Sequence, residues 1–222
     1  MCFMKNCIMG IAAVGILAAA GNAEAARIRI NSDGFNIGGG GEFRVTVISG
    51  NAGTTDSGNR FRSFCIETSE SVEVGGSEYN AEVRRATQGS GGSFALTSGV
   101  AYLYTQFRNG TLSEYNFADV DSGGIFASRR ESAFALQTAI WDLMGVGGNI
   151  DPNNYFYQLA NNAIANGEWD GLGNVRVLSL RGGPGGNADG NNQDILTLVP
   201  LPGAAGTAIA GLLGIAAFRR RR

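Results

Sequence analysis

Seven short stretches, 27–30, 42–48, 60–66, 70–74, 78–83, 175–180 and 195–199, either alternate apolar and polar positions or are rich in β-branched residues. Each is bounded by Gly, Asn or Ser, and a period of two puts successive side chains on opposite faces, so all seven are predicted as strands. Between the fifth and sixth the period changes to that of a helix. Val100, Leu103, Tyr104 and Phe107 fall on one face, and Asn109-Gly110 closes the segment. A second helix opens at Ser128, with Glu131 three residues later as in a capping box, and stops at Gly145. A third is predicted over 153–165, after Asp151-Pro152 and before Asn166-Gly167. Strands, then helices, then strands imply an α+β domain: a twisted β-sheet or partly closed barrel with a central two- to three-helix insertion.

The two ends of the chain stand apart from this pattern. Lys5, an apolar run over 8–20 and Ala23-Glu24-Ala25 reproduce the charged, apolar and small-residue regions of a secretory signal peptide, with cleavage expected after Ala25. The run is shorter than the ~20 residues that a membrane span needs. At the other end Val199-Pro200-Leu201-Pro202 precedes an apolar stretch over 203–218 and then Arg219, Arg220, Arg221 and Arg222. The prolines favour an extended segment that an enzyme cleft can grip, the apolar stretch suits a bilayer, and the arginines hold the end on the cytoplasmic side. In this order of parts the tail resembles the PEP-CTERM sorting signals of Gram-negative bacteria, in the variant that begins Val-Pro-Leu-Pro. The resemblance implies an exosortase-type membrane transpeptidase as partner, transient membrane insertion through the tail, and a cell-surface or extracellular-matrix location. The expected organisation is a signal peptide (1–25), a globular domain (26–181), a flexible linker (182–198) and a sorting signal (199–222).

Composition then narrows the function. Of 17 basic and 19 acidic residues, Lys5, Glu24 and the four terminal arginines lie in the end segments, leaving 12 Arg against 18 Asp plus Glu. That acidic balance argues against nucleic acid as a partner. With no histidine, Cys-His and Ser-His catalytic pairs are impossible and no metal site is expected. Asp119-Val120-Asp121 and the Asp189 to Asp194 segment lack the ligand spacing of a calcium loop and read as turns. Cys2 and Cys7 belong to the signal peptide, so Cys65 is the only cysteine expected in the mature chain. It cannot form an internal disulfide there, and is an apolar filler, an intermolecular partner or a reactive group.

On the second helix Phe134, Gln137, Trp141 and Met144 share a stripe, which sets an amide among apolar side chains. A buried amide without partners costs a few kcal/mol, about 1–3 by mutational measures, so Gln137 is expected to be hydrogen-bonded or chemically changed. The segments Phe64-Cys65-Ile66-Glu67 and Leu136-Gln137-Thr138-Ala139-Ile140-Trp141 together resemble the thioester domains of bacterial surface adhesins. The adhesin pattern usually has threonine where this chain has Leu136. The resemblance implies that Cys65 supplies the sulfur and Gln137 the acyl group of an internal thioester, with Phe64, Trp141 and Tyr104 around it. Thiolate attack on the carboxamide would release ammonia and store an electrophile for an external amine or hydroxyl. Such chemistry is single-turnover and needs no cofactor. Two other readings stand beside it: an exopolysaccharide-associated structural protein without the bond, and a polymer hydrolase using carboxylates such as Glu67 and Glu70. Trp141-Asp142 and Trp169-Asp170 also offer rings for carbohydrate stacking.

Overall fold

The computed structural model describes residues 25–37, 39–88, 92–185 and 190–200. The segment expected to be a signal peptide, up to Glu24, and the expected sorting tail with Leu201, Pro202 and Arg219 to Arg222 lie outside the described residues.

Six strands and three helices are present among the described residues: β1 (Ala26–Ile37), β2 (Gly40–Ser49), β3 (Arg60–Ser63), β4 (Gly75–Arg84), α1 (Ser98–Arg108), α2 (Arg129–Met144), α3 (Tyr155–Ala165), β5 (Val175–Arg181) and β6 (Asn191–Leu198). The sheet runs β3-β2-β1-β4-β5-β6, with every neighbouring pair antiparallel. It curls until its two edges meet. Beyond Ser63 the chain leaves β2 and pairs with β6: Leu196 N donates to Phe64 O (3.1 Å) and Ile66 N to Asp194 O (3.0 Å), around an isolated bridge between Cys65 and Ile195. The domain is therefore an α+β fold, a curled antiparallel sheet with a three-helix insertion between β4 and β5.

Alternation explains the inner face. On β1, Ala26, Ile28 and Ile30 are buried, whereas Arg27 and Arg29 face solvent and pair with Glu78. Phe43, Val45, Phe61, Tyr79, Leu178, Leu180 and Ile195 join them inside the curl. A second cluster forms on the other face of β5 and β6, where Val100, Leu103, Leu136, Ile140 and Phe156 of the three helices join Val175, Val177 and Leu196, while α2 itself runs against β1 and β2. Burial on both faces gives β5 and β6 their nearly continuous buried runs. Each such fully buried aliphatic contributes about 1.5–3 kcal/mol.

Helix ends follow their capping residues. Thr97 Oγ1 accepts from Val100 N, Ser128 Oγ from Glu131 N, and Asn154 Oδ1 from Phe156 N and Tyr157 N. The Glu131 carboxylate takes the Ala127 N–H, so the box closes one residue earlier than the usual pattern. Gly145, at φ +72°, ends α2 in the left-handed conformation that glycine adopts without strain.

Four expectations need correction. Segment 70–74 is not a strand, because its hydrogen bonds scatter: Val74 O accepts from Ser32, Ser71 O from Gln193, and Ser71 Oγ donates to Gly185 O. The strand expected over 60–66 ends at Ser63, where the chain changes partners from β2 to β6. The linker expected over 182–198 contains β6, Asn191–Leu198, which is buried from Asn192 to Thr197. On α2 the buried face runs through Ala133, Leu136, Gln137, Ile140 and Met144, while Phe134 is exposed and Trp141 half-buried.

Candidate functional site: Cys65, Gln137 and the acidic pair behind them

The site forms where α2 meets the seam between β3 and β6. Two anchors dock α2 on β2. At its first residue Arg129 donates to both oxygens of Glu42, a residue of β2 with no exposed surface, at 2.8 Å each. About two turns later Gln137 reaches the same region. Glycines make this approach possible: a Cβ at Gly40 would lie 2.5 Å from the Trp141 ring and 2.8 Å from Gln137 Cγ. Gly41 has φ +115°, and a Cβ there would lie 2.6 Å from Phe35 O.

Gln137 is completely buried. Its Oε1 accepts from Cys65 N (3.0 Å) and Gly41 N (3.3 Å), and its Nε2 donates to Cys65 O (2.7 Å). Two main-chain N–H groups thus converge on the carboxamide oxygen, the arrangement that stabilises an oxyanion when a nucleophile adds to the carbonyl carbon. The polarity of Gln137 is satisfied entirely by residues remote in sequence.

The Cys65 side chain points into the barrel cluster, and its thiol donates to Gln193 Oε1 at 2.9 Å. Gln193 Nε2 in turn donates to Glu67 O. Burial, with a smaller contribution from the Glu67 charge, pushes the Cys65 thiol far above its ordinary value, so it is protonated at neutral pH. Nucleophilic attack from this position requires removal of the thiol proton.

Behind Cys65 sit three acids. Glu67, only 1% exposed, accepts from Asp194 N through Oε1 (3.0 Å). Burial pushes the Glu67 carboxyl up to about 7, and the neighbouring Asp194 and Glu70 charges add to this against the lowering effect of the Asp194 N–H bond. Asp194 is likewise raised by burial, to about 6, although Gln88 N and Leu180 N donate to it. A pocket of about 350 Å³ opens beside this group, lined by Thr68, Glu70, Trp141 and Gln193. The Trp141 indole N–H is buried and has no acceptor among the described residues.

The other candidates fall elsewhere. Phe64 lies on the opposite side of the chain from Cys65 and stacks edge-on against Phe107. Tyr104 is held by Arg62 O (2.8 Å) and Leu196 O (3.1 Å), and it accepts from Arg108. Neither lines the pocket; of the three aromatic residues expected around the bond, Trp141 does. Trp169 is tied to Gly171 O and packs on Tyr102. Asp119 and Asp121 accept from Arg129 N and Gly123 N, as turn residues do. Among the described residues no cluster of three or more acidic or cysteine side chains is arranged to hold a metal ion.

Sequence reasoning missed Gly40 and Gly41, and it read Gln193 and Asp194 as part of a turn, whereas both are buried on β6. The signals were present: a run of glycines entering β2, and Asn191-Asn192-Gln193-Asp194 leading directly into the apolar residues of β6. Compared with protein-family models, curated proteins and solved structures, the chain matches none.

Proposed function

We propose that this chain is an exported surface or matrix protein whose domain forms an internal thioester between Cys65 and Gln137 and uses it once, to bond covalently to an external amine or hydroxyl. The observation that carries this reading is the setting of Gln137: a fully buried carboxamide whose oxygen receives two main-chain N–H groups, one of them from Cys65 itself, 72 positions earlier. In the reaction the thiol sulfur adds to the Gln137 carbonyl carbon, the C–N bond breaks, and ammonia leaves with the thiol proton. The Gly41 and Cys65 N–H groups face the oxygen on which negative charge develops. Attack by an amine then gives an amide and frees the thiol.

Export and sorting belong to the same proposal. The signal peptide directs the chain across the inner membrane, and the Val199-Pro200-Leu201-Pro202 tail is read by an exosortase-type transpeptidase. One observation favours the second reading, a structural exopolysaccharide-associated protein with no covalent chemistry: the buried thiol is hydrogen-bonded to Gln193.

Intact mass decides between them. The covalent reading expects a protein lighter than its sequence by one ammonia, addition of methylamine at Gln137 with release of the Cys65 thiol, and loss of both signals in Cys65→Ala and Gln137→Ala. Full sequence mass in fresh protein kept from added nucleophiles would leave the structural reading.

A further inference from the structure

The thiol that must react is also the one the fold keeps protonated, so a proton acceptor has to lie within reach. Gln193 is not a base, since an amide oxygen accepts a hydrogen bond without taking the proton. It acts as a brace: it holds Sγ through Oε1 and grips the Glu67 main chain through Nε2. Gln193 thus touches both the Cys65 thiol and the Glu67 main chain, which ties the two residues, two positions apart, into one buried hydrogen-bonded group.

The Glu67 carboxylate is buried, and among the described residues a donor reaches only one of its oxygens: Oε1 takes the Asp194 N–H, while no described N–H or O–H group bonds Oε2. The neighbouring side chain is another acid. Glu70 shares a hydrogen bond with Glu67 when one of the two carries a proton, and it lines the open pocket with Gln193 and Trp141. An acid pair therefore bridges the buried thiol and the mouth through which ammonia would leave and a nucleophile would enter.

Resting on the thioester reading, we infer that Glu67 and Glu70 form the proton route of the Cys65–Gln137 reaction, with Glu67 as the base for the thiol. In bond formation the thiol proton passes to the Glu67 carboxylate and the sulfur adds to the Gln137 carbonyl carbon. The C–N bond then breaks, and the same proton goes to the departing nitrogen, which leaves as ammonia. In amine attack the direction reverses: the incoming amine loses a proton to the pair, and the departing thiolate recovers one. Each step conserves protons and needs no further reactant. The charged and titratable groups involved are Cys65, Glu67, Glu70 and Asp194. Asp194 is occupied by main-chain donors and holds the strand in register.

The test starts from the full chain, recovered unfolded and unreacted, refolded by dilution and quenched at intervals for intact mass. In the wild type the rate of ammonia loss should rise with pH through about 7, as Glu67 becomes a carboxylate. Glu67→Gln should slow it about 100-fold, the scale of general acid–base catalysis, and remove that inflection. Glu70→Gln, at the pocket wall, should slow methylamine addition and serves as the second variant if Glu67→Gln fails to fold by circular dichroism. Wild-type ammonia loss with unchanged rates and pH profiles in both variants would overturn the proton route and leave the thioester intact. No ammonia loss in the wild type at any pH would overturn both.

Discussion

Arg129→Ala should show that the helix carrying Gln137 is held by a buried ionic contact and not by apolar packing alone. Glu42 has no exposed side-chain surface, and the Arg129 side chain is 15% exposed. The substitution removes two bonds to Glu42, the donor to Phe117 O and the cation over the Phe35 ring at 4.9 Å. Removing one partner of a buried ion pair costs about 3–5 kcal/mol, because the remaining charge stays desolvated. Glu42 keeps Arg62 and the Tyr115 hydroxyl, which places the cost at the lower end, about 3 kcal/mol. For a domain of this size that corresponds to a fall in melting temperature of roughly 6–12 °C. Urea unfolding followed by tryptophan fluorescence reads the change, with an unaltered denaturant slope expected. Since total stability is typically about 5–15 kcal/mol, the variant should still fold. A loss below about 1 kcal/mol, the scale of an exposed ion pair, would refute the reasoning.

Gly41→Ala places a side chain where φ is +115° and Phe35 O is 2.6 Å away. It should lower stability by at least about 1–3 kcal/mol and slow ammonia loss by disturbing an N–H on Gln137 Oε1; equal rates in a folded variant would remove Gly41 from the site. Glu67 and Asp194 have folded values of about 7 and about 6, above their ordinary 4.5 and 3.8, so between these limits the folded state binds more protons than the unfolded one. Their contribution is therefore complete below about pH 4 and is lost as pH rises to about 7; urea midpoints should fall across that window, and Glu67→Gln should flatten the fall. Tyr104→Phe removes a hydroxyl that bonds Arg62 O, Leu196 O and Arg108. The expected cost is about 1–3 kcal/mol by chemical denaturation, and a neutral result would mean that these main-chain carbonyls find other donors.

The sequence by itself determined the class of fold, the three helices and most of the strands. These follow from local chemistry: alternation on β1, the capping residues Thr97 and Ser128, and the glycine that ends α2 are interactions among near neighbours in the chain. It also marked Cys65 and Gln137, because an amide in a helix stripe and a lone cysteine are anomalies visible without a structure. Tertiary structure decided what surrounds them. That 60–66 divides between β2 and β6 depends on how far the sheet curls, a property of all six strands together. Gly40 and Gly41 matter only because α2 crosses β2 at that point, and no local pattern fixes where two distant elements meet. The meeting of Gln193 and Glu67 behind the cysteine is likewise decided by the register across the seam, 126 positions apart in the chain. Hydrogen bonds and charges act over a few ångströms in space, and only the folded chain says which residues are that close.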